Sequence, residues 1–360
     1  MTSKDSEKCN RAAVYAEPGT VKTEVVELPI PTPGPGEILV RLLYSGVCHT
    51  DYAFCMNKIS SLPVPTAKGQ VGGHEGVGEV VAQGAGVDFP EVGEKVGIKF
   101  AADACLSCTN CLEGFETGCS KLKVSGYYTP GTFQQYCLST ARYATPIPEG
   151  IDLVTAAPLM CGGITVYASL KRSRVQSGDW VLVSGAGGGL GHLAIQYAKV
   201  MGARVLALDI GSKEALCREV GADNFIDVLQ LSAEQLASRV GEITSGGAKI
   251  AMICTGNVQA YEQALSWLGF RGTLICLGIP DKEGALRPEI SRMIDREIRI
   301  QEPFSAYKAS NRLEAKECLE IAARKGIKVH SQLRKLEELS DVFQEMEDGK
   351  VKGRVVLDLS

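Results

Sequence analysis

The sequence lacks the features that favour a nucleic acid or a membrane as a partner. Lysine and arginine together number 38, against 42 aspartate and glutamate residues, which gives a formal net charge of −4. The basic residues form no block along the chain. Residues 1–7 are polar and of mixed charge, and they match neither a secretory signal nor a transit peptide. No run of 18 apolar residues occurs, so we expect no membrane span and a cytoplasmic protein with a small-molecule partner.

Histidine is also scarce, whereas cysteine is abundant. The 360 residues include four histidines and 13 cysteines. In a reducing compartment disulfides are not expected, so clustered cysteines are first considered as metal ligands. The length exceeds that of one ordinary hydrophobic core and predicts two domains.

The N-terminal part is predicted to be mostly β. Short apolar runs at 12–15, 21–26 and 37–44 are separated by turns, and the proline- and glycine-rich stretch 29–36 is a connector. The residues around Cys48 follow the third run and are expected at a strand end. The stretch 156–167, which contains Cys161, is expected to open a helix.

The sequence pattern changes after residue 178, where apolar segments predicted as strands alternate with segments predicted as helices. This alternation predicts a parallel, doubly wound sheet. The predicted strands are 180–184, 203–209, 224–227, 250–254 and 272–278, and the predicted helices lie near 213–220, 232–244 and 258–269. Beyond them, one long helix at 311–325 and a strand pair near 329 and 355–357 are expected, and that pair could rejoin the first domain.

Four cysteines lie close together in a polar segment. They are Cys105, Cys108, Cys111 and Cys119. The spacing C-x2-C-x2-C-x7-C fits a closed tetrahedral zinc site, in which every coordination position is taken by protein and the metal serves folding. An iron–sulfur cluster is the alternative, since similar spacing occurs there.

A glycine-rich loop separates the strand at 180–184 from a helical pattern. Ala186, Gly188 and Gly191 fit the three small-residue positions of a dinucleotide fingerprint, and Asp209 ends the next strand about 20 residues on. The loop would place backbone N–H groups and a helix N-terminus against a pyrophosphate. The Asp209 carboxylate would accept the ribose hydroxyls and repel a 2′-phosphate, so NAD is expected rather than NADP.

Cys48, His74 and Cys161 are further candidate metal ligands, each flanked by glycine. A lone histidine in a glycine-rich loop is more often structural than a ligand. Two cysteines and a histidine with one open position, however, form a catalytic zinc set. Spacing alone leaves the two interpretations open.

A set of motifs along residues 10–358 resembles a known family in combination. They are residues 46–51, 72–76, 105–119, 125–127, 133–136, 161–167 and 188–191. Together they resemble the zinc-dependent medium-chain alcohol dehydrogenases, most closely the yeast and fungal branch. The resemblance implies an α/β fold. A GroES-like β-rich catalytic domain would comprise residues 1–166 with the tail 306–360, a Rossmann NAD-binding domain residues 167–305, and the active site the cleft between them.

The resemblance also implies roles for individual residues and two zinc ions per chain. Cys48, His74 and Cys161 would bind the catalytic zinc, which Glu75 can approach, and Asp51 would orient His74. The four clustered cysteines would bind the structural zinc. The implied NAD contacts are His49, Thr165, Gly188, Gly189, Leu190, Asp209, Lys213, Phe225, Leu277, Ile279 and Arg354. Zinc would lower the pKa of the bound alcohol, Thr50 would accept its hydrogen bond and pass the proton outward, and hydride would move between the alcohol and NAD.

The sequence departs from the family pattern at three places. Ala53 stands where a relay histidine is common, so the proton must leave by another route. Cys55, Phe100 and Leu62 stand where small-alcohol enzymes of this branch place tryptophans, and about three residues are inserted near 56–61; we expect a roomier pocket and a substrate bulkier than ethanol. Residues 303–308 depart from the family's pattern at the edge where subunits meet.

Other functions remain as alternatives. A polyol or threonine dehydrogenase would share the zinc ligands, whereas a zinc-independent enoyl or quinone reductase of the same superfamily would lack them. A non-catalytic NADH-binding protein would bind the cofactor without turnover. We expect a homo-oligomer, a tetramer or else a dimer. His192 and His330 receive no role; His192 is expected to be solvated or to neighbour the cofactor.

Overall fold

The structure, a computed structural model, describes residues 9–59, 62–280, 288–301 and 310–360. The strands are β1 Asn10–Tyr15, β2 Thr23–Leu28, β3 Glu37–Val47, β4 Glu75–Gln83, β5 Lys95–Ile98, β6 Ala101–Asp103, β7 Lys123–Val124, β8 Tyr136–Thr140, β9 Thr145–Pro146, β10 Trp180–Ser184, β11 Arg204–Asp209, β12 Asn224–Asp227, β13 Ala248–Ile253, β14 Leu268–Cys276, β15 Arg299–Gln301, β16 Ser331–Lys335 and β17 Arg354–Asp358. The helices are α1 His49–Cys55, α2 Thr109–Leu112, α3 Leu153–Pro158, α4 Ile164–Arg172, α5 Gly191–Val200, α6 Glu214–Glu219, α7 Ala233–Thr244, α8 Val258–Trp267, α9 Ile290–Arg296, α10 Arg312–Lys325 and α11 Leu339–Glu347. The inserted residues 60 and 61 and the departing segment 303–308 lie outside the described residues.

The chain divides into two units. The first comprises Met1–Ile164 with Lys308–Ser360, and the second comprises Thr165–Tyr307. The first unit is therefore built from two separate stretches of sequence, and the second is inserted between them.

The first unit is organised on a seven-stranded sheet. Its strands run in the order β16-β17-β3-β4-β5-β9, with β8 also paired to β3. The C-terminal strand β17 is antiparallel to β3 and parallel to β16, so the predicted return of the tail to this unit is present. A core of apolar side chains from β1, β3, α1 and α11 packs beneath it.

The second unit is a six-stranded, wholly parallel sheet. Its strand order is β12-β11-β10-β13-β14-β15. Every residue of β10 is buried, as expected of a strand covered on both faces. The predicted α/β fold class, with a β-rich unit and a doubly wound unit, is confirmed.

Several sequence-based element predictions were wrong. Helices α1, α9 and α11 and strand β15 were not predicted. The helix predicted to open within residues 156–167 begins slightly earlier, at Leu153, where the Asp152 carboxylate accepts a hydrogen bond from the N–H of Thr155 (2.8 Å). The helical stretch Leu153–Arg172 is long and apolar enough to span a membrane by length and composition, and 83% of its most apolar window is buried.

Candidate active site

Cys48 directly follows the end of β3, as predicted, and it also caps the N-terminus of α1, a helix that was not predicted. Its extended backbone caps the helix, and its N–H donates to Oδ2 of Asp51 (2.9 Å). The Thr50 hydroxyl lies on the first turn, with Oγ1 3.7 Å from Sγ of Cys48. The helix start thus places a thiol, a hydroxyl and a carboxylate together.

His74 and Glu75 are held in a segment that tolerates no bulk at its glycines. Gly73 has a φ of +95°, and a Cβ there would lie 2.7 Å from side-chain atoms of Phe133 and Thr132. Both His74 and Glu75 are completely buried. The Asp51 Oδ1 lies 2.7 Å from Nδ1 of His74, which fixes the ring and leaves Nε2 as its free ligand atom.

Cys161 lies within the helical stretch, in the π-helical turn Leu159–Gly163. Such turns inside an α-helix are rare and are frequent at functional sites. The five residues of this turn are all buried, and the thiol of Cys161 reaches that of Cys48.

The ligand atoms of Cys48, His74, Glu75 and Cys161 lie within 4.8 Å of one another. The two sulfurs are 4.0 Å apart, close to the roughly 3.8 Å expected for two thiolates on one tetrahedral zinc. Nε2 of His74 and Oε2 of Glu75 are buried without a hydrogen-bond partner. The contact with Cys161 lowers the pKa of Cys48 well below its usual value. A zinc ion would satisfy each of these buried groups, so the donor set fits this metal.

Glu75 has a second partner that the sequence did not indicate. The guanidinium of Arg354, on β17, forms an ion pair with its Oε1. Burial raises the pKa of Glu75 to about 7, and the positive charge of Arg354 opposes that rise. Gly46 leaves room for the carboxylate, because a Cβ there would lie 2.0 Å from Oε2. Arg354 was assigned only to NAD from the sequence, whereas here it compensates the charge of Glu75.

The four clustered cysteines form the second candidate metal centre. Ligand atoms of Cys105, Cys108, Cys111 and Cys119 lie within 4.8 Å of one another, and Sγ of Cys105 is 3.9 Å from Cys111 and 3.5 Å from Cys119. The N–H of Ser107 and other nearby donors lower the pKa of Cys105 to about 5, which favours the thiolate that zinc binds. The donors are all thiols, so the set suits a closed zinc site.

An aromatic wall adjoins His74. The Phe100 ring meets the imidazole edge-on at 5.3 Å between centroids, and the Phe54 ring stacks on Phe100 at 6.2 Å. Cys55, named from the sequence as a pocket residue, instead directs its thiol to the carbonyl oxygen of Thr20 (3.1 Å). Because α1 is helical, Cys55 points away from Phe54, which is the aromatic neighbour that sequence reasoning missed. Leu62 packs against the core of this unit.

The predicted dinucleotide loop follows β10 in the second unit. A Cβ on Gly191 would lie 2.1 Å from the Gly185 carbonyl oxygen, so strand and helix approach as closely as the fingerprint requires. Asp209 ends β11, and its Oδ2 accepts a hydrogen bond from the N–H of Gly187 (2.8 Å). The Lys213 side chain packs beside Gly187. The loop, the acid and the lysine are therefore brought together.

Other predicted cofactor residues lie on separate elements. Thr165 is buried on α4, Phe225 lies on β12, and Leu277 and Ile279 follow β14, with Ile279 exposed. In the first unit, His49 is exposed on the first turn of α1. Gly188, Gly189 and Leu190 lie in the loop before α5, partly accessible to solvent.

His192 is completely buried rather than solvated, and its Nδ1 lies 2.8 Å from the carbonyl oxygen of Gly188. The imidazole thus contacts the backbone of the glycine-rich loop from the protein interior.

Comparison with known proteins identifies the family. Family models match residues 34–149, as an alcohol dehydrogenase GroES-like domain, and residues 189–323, as a zinc-binding dehydrogenase. The chain is 47% identical to alcohol dehydrogenase 2 of Emericella nidulans over 373 aligned positions, and the match covers all of both chains. The chain belongs to the zinc-binding alcohol dehydrogenase family. The predicted resemblance to its fungal branch is confirmed.

Solved structures of the alcohol dehydrogenase family share the whole fold. The enzyme of Aeropyrum pernix is 30% identical with a TM-score of 0.84, and the match covers 97% of this chain and 99% of that one. The acetophenone reductase of Geotrichum candidum, solved in complex with NAD, is 27% identical with a TM-score of 0.81 and 98% coverage of both chains.

Proposed function

We propose that this zinc- and NAD-dependent alcohol dehydrogenase interconverts alcohols bulkier than ethanol with their aldehydes or ketones. The observation that carries the activity is the buried donor set of Cys48, His74 and Cys161, with the Thr50 hydroxyl beside it. The substrate size is supported by Phe100, which stands where the branch's small-alcohol enzymes place tryptophan. A similar chain, the acetophenone reductase, is named for an aromatic ketone.

Each residue of the site has a distinct proposed role. When bound, zinc lowers the pKa of the alcohol and NAD accepts the hydride. Cys48, His74 and Cys161 hold the metal, and Asp51 holds the His74 ring through Nδ1. The Thr50 Oγ1 accepts the hydrogen bond of the substrate hydroxyl and passes the proton outward. Ala53 offers no titratable group, so the proton leaves through water.

The cofactor residues are proposed to divide between the two units. The backbone of Gly188, Gly189 and Leu190 faces the pyrophosphate. Asp209 and Lys213 bind the adenosine ribose. The remaining proposed contacts are His49, Thr165, Phe225, Leu277, Ile279 and Arg354. The proposed catalytic domain comprises 1–166 with 306–360, and the NAD-binding domain 167–305.

The proposed enzyme is a cytoplasmic homotetramer, with a dimer as the alternative. None of the 13 cysteines forms a disulfide, which agrees with a reducing compartment. In the second unit β15 is the outermost strand of its sheet, and Ile290 and Ile294 on α9 expose more than two thirds of their surface. Among the described residues no further strand pairs with β15, and such an edge in the same unit as exposed apolar side chains suits association between copies.

A zinc assay combined with a substrate panel tests the function. We expect two zinc ions per chain, and NAD-linked turnover with a higher kcat/KM for branched and aromatic alcohols than for ethanol. The His74→Ala variant should retain one zinc and lose turnover, whereas Cys217→Ser, a buried thiol outside both clusters, should keep both ions. Binding of only one zinc ion per chain by the unmodified protein would contradict the proposed catalytic zinc site. A preference for polyols or threonine would replace the proposed substrate class.

A further inference from the structure

Tyr15 is a buried aromatic residue outside the set of proposed ligands, yet it contacts both segments that supply them. It ends β1 and has no exposed surface. Its hydroxyl donates a hydrogen bond to the carbonyl oxygen of Asp51 (3.1 Å). The residue it holds is the one whose carboxylate reaches both the N–H of Cys48 and Nδ1 of His74.

The same side chain lies against the glycine segment that carries His74. A Cβ on Gly72 would fall 2.3 Å from the Tyr15 hydroxyl oxygen and 2.5 Å from Cζ, so the ring packs directly on that backbone. The main chain of Tyr15 also accepts from the N–H of Gly69 and donates to the carbonyl oxygen of Gln70, each at 2.9 Å. Tyr15 therefore joins the start of α1 to the chain just before His74.

Two further features keep this phenol a rigid, neutral donor. Burial, reinforced by the negative charge of Asp51, raises its pKa well above the usual value. The ring of Phe343, on α11, also contacts the Tyr15 ring, with 6.4 Å between the ring centroids. The hydroxyl therefore remains a donor to Asp51 throughout the ordinary pH range.

We propose that Tyr15 is a positioning residue of the catalytic zinc site, which sets the separation of Cys48 and His74 through Asp51 and Gly72. It touches neither substrate nor metal and acts through the residues that do. The role rests on the proposed assignment of Cys48, His74 and Cys161 as zinc ligands.

The Tyr15→Phe variant tests this role, because it removes only the hydroxyl and keeps the packed ring. Partners of metal ligands typically contribute about 10- to 100-fold to affinity, and Tyr15 acts one contact further out. We therefore expect catalytic zinc to bind about 3- to 10-fold more weakly in competition with a chelator, while the four-cysteine site keeps its affinity. The spectrum of cobalt substituted at the catalytic site should shift, since the ligand geometry changes.

The control is Tyr261→Phe, which removes a hydroxyl donated to the Gly278 carbonyl oxygen in the second unit. It should leave both zinc affinities and the cobalt spectrum unchanged. Equal weakening of both sites in Tyr15→Phe, together with a lower melting temperature, would assign Tyr15 to general stability and overturn the proposal. Unchanged catalytic zinc affinity would overturn it as well. If the unmodified protein bound only one zinc, the ligand assignment itself would fail.

Discussion

The carboxylate of Glu75 and the guanidinium of Arg354 form a buried ion pair between residues 279 positions apart in sequence. The Glu75 side chain has no exposed surface and that of Arg354 only 9%. Each charge would be costly to bury alone, so the two strands that carry them, β4 and β17, depend on each other at the site.

Arg354→Met should lower the melting temperature of the zinc-loaded protein strongly. Removal of one partner of a buried ion pair costs about 3–5 kcal/mol, because the other charge is left uncompensated. Adding Glu75→Gln to the same chain removes that charge and should recover part of the loss. Thermal unfolding of both variants checks this, and equal melting temperatures would show that the pair carries no such coupling.

Asp51→Asn should weaken zinc binding at the catalytic site alone. The substitution removes the charge that holds Nδ1 of His74 and the N–H of Cys48, and loss of such a partner typically costs about 10- to 100-fold in metal affinity. Zinc content after dialysis against a graded chelator should fall from two ions to one. Asp348→Asn, at an exposed pair with Lys350, should keep two. Loss of both ions from Asp51→Asn would point to unfolding instead.

Asp209→Asn should relax the preference for NAD over NADP. The amide can still accept from the N–H of Gly187, but it no longer repels a 2′-phosphate. We expect the ratio of kcat/KM for the two cofactors to fall by about tenfold, which corresponds to roughly 1.4 kcal/mol. Asp227, which lies opposite Asp209 on the neighbouring strand, provides the matched control. If Asp227→Asn lowered the ratio of kcat/KM by the same factor, the loss of any negative charge in this region would explain the result, and the specific role of Asp209 would be contradicted.

Lys99→Met should stabilise the protein at pH 7 and do so less at pH 9. Burial lowers the pKa of Lys99 to about 7, against the partly compensating charge of Glu116. Between pH 7 and the usual lysine pKa of about 10.4, the unfolded chain binds a proton that the native chain does not, so native stability rises with pH. The free energy of unfolding of the unmodified protein therefore rises by at most about 1.4 kcal/mol per pH unit through Lys99. The variant has no titrating group at this position and lacks that rise.

The measurement is the melting-temperature difference between Lys99→Met and the unmodified protein across that pH range. The difference removes the contribution of the many cysteines, which titrate in both proteins. A constant difference would mean that Lys99 stays protonated in the native state across this range, as it does in the unfolded chain. Loss of its contacts to Ala101 and Tyr143 would instead change the difference by the same amount at every pH.

The strand and loop patterns of the second unit were predictable because they are local. The apolar run of β10, the glycines after it and the acid at Asp209 lie within one strand–helix–strand unit, where spacing determines geometry. The spacing of the four cysteines was equally informative, since ligands within a short segment must converge if they bind one ion.

The remaining features depend on contacts that no local pattern encodes. Helix α1 was missed because it follows directly on the long strand β3, and Gly46 lies within that strand and does not mark its end. The pairing of Arg354 with Glu75 joins opposite ends of the chain, and the burial of His192 depends on the packing of α5. Phe54 and not Cys55 lies beside Phe100, because one residue along a helix turns the side chain by about 100°.

The two-part composition of the first unit determines when the site can be completed during synthesis. Cys48, His74, Glu75 and Cys161 all leave the ribosome before residues 165–307, whose synthesis takes roughly 7 to 29 s at about 5–20 residues per second. Until β17 is synthesised, β3 lacks its pairing strand on that side, and the carboxylate of Glu75 lacks the guanidinium of Arg354. The second unit can fold in that interval, and the finished zinc site is among the last parts of the nascent chain to assemble.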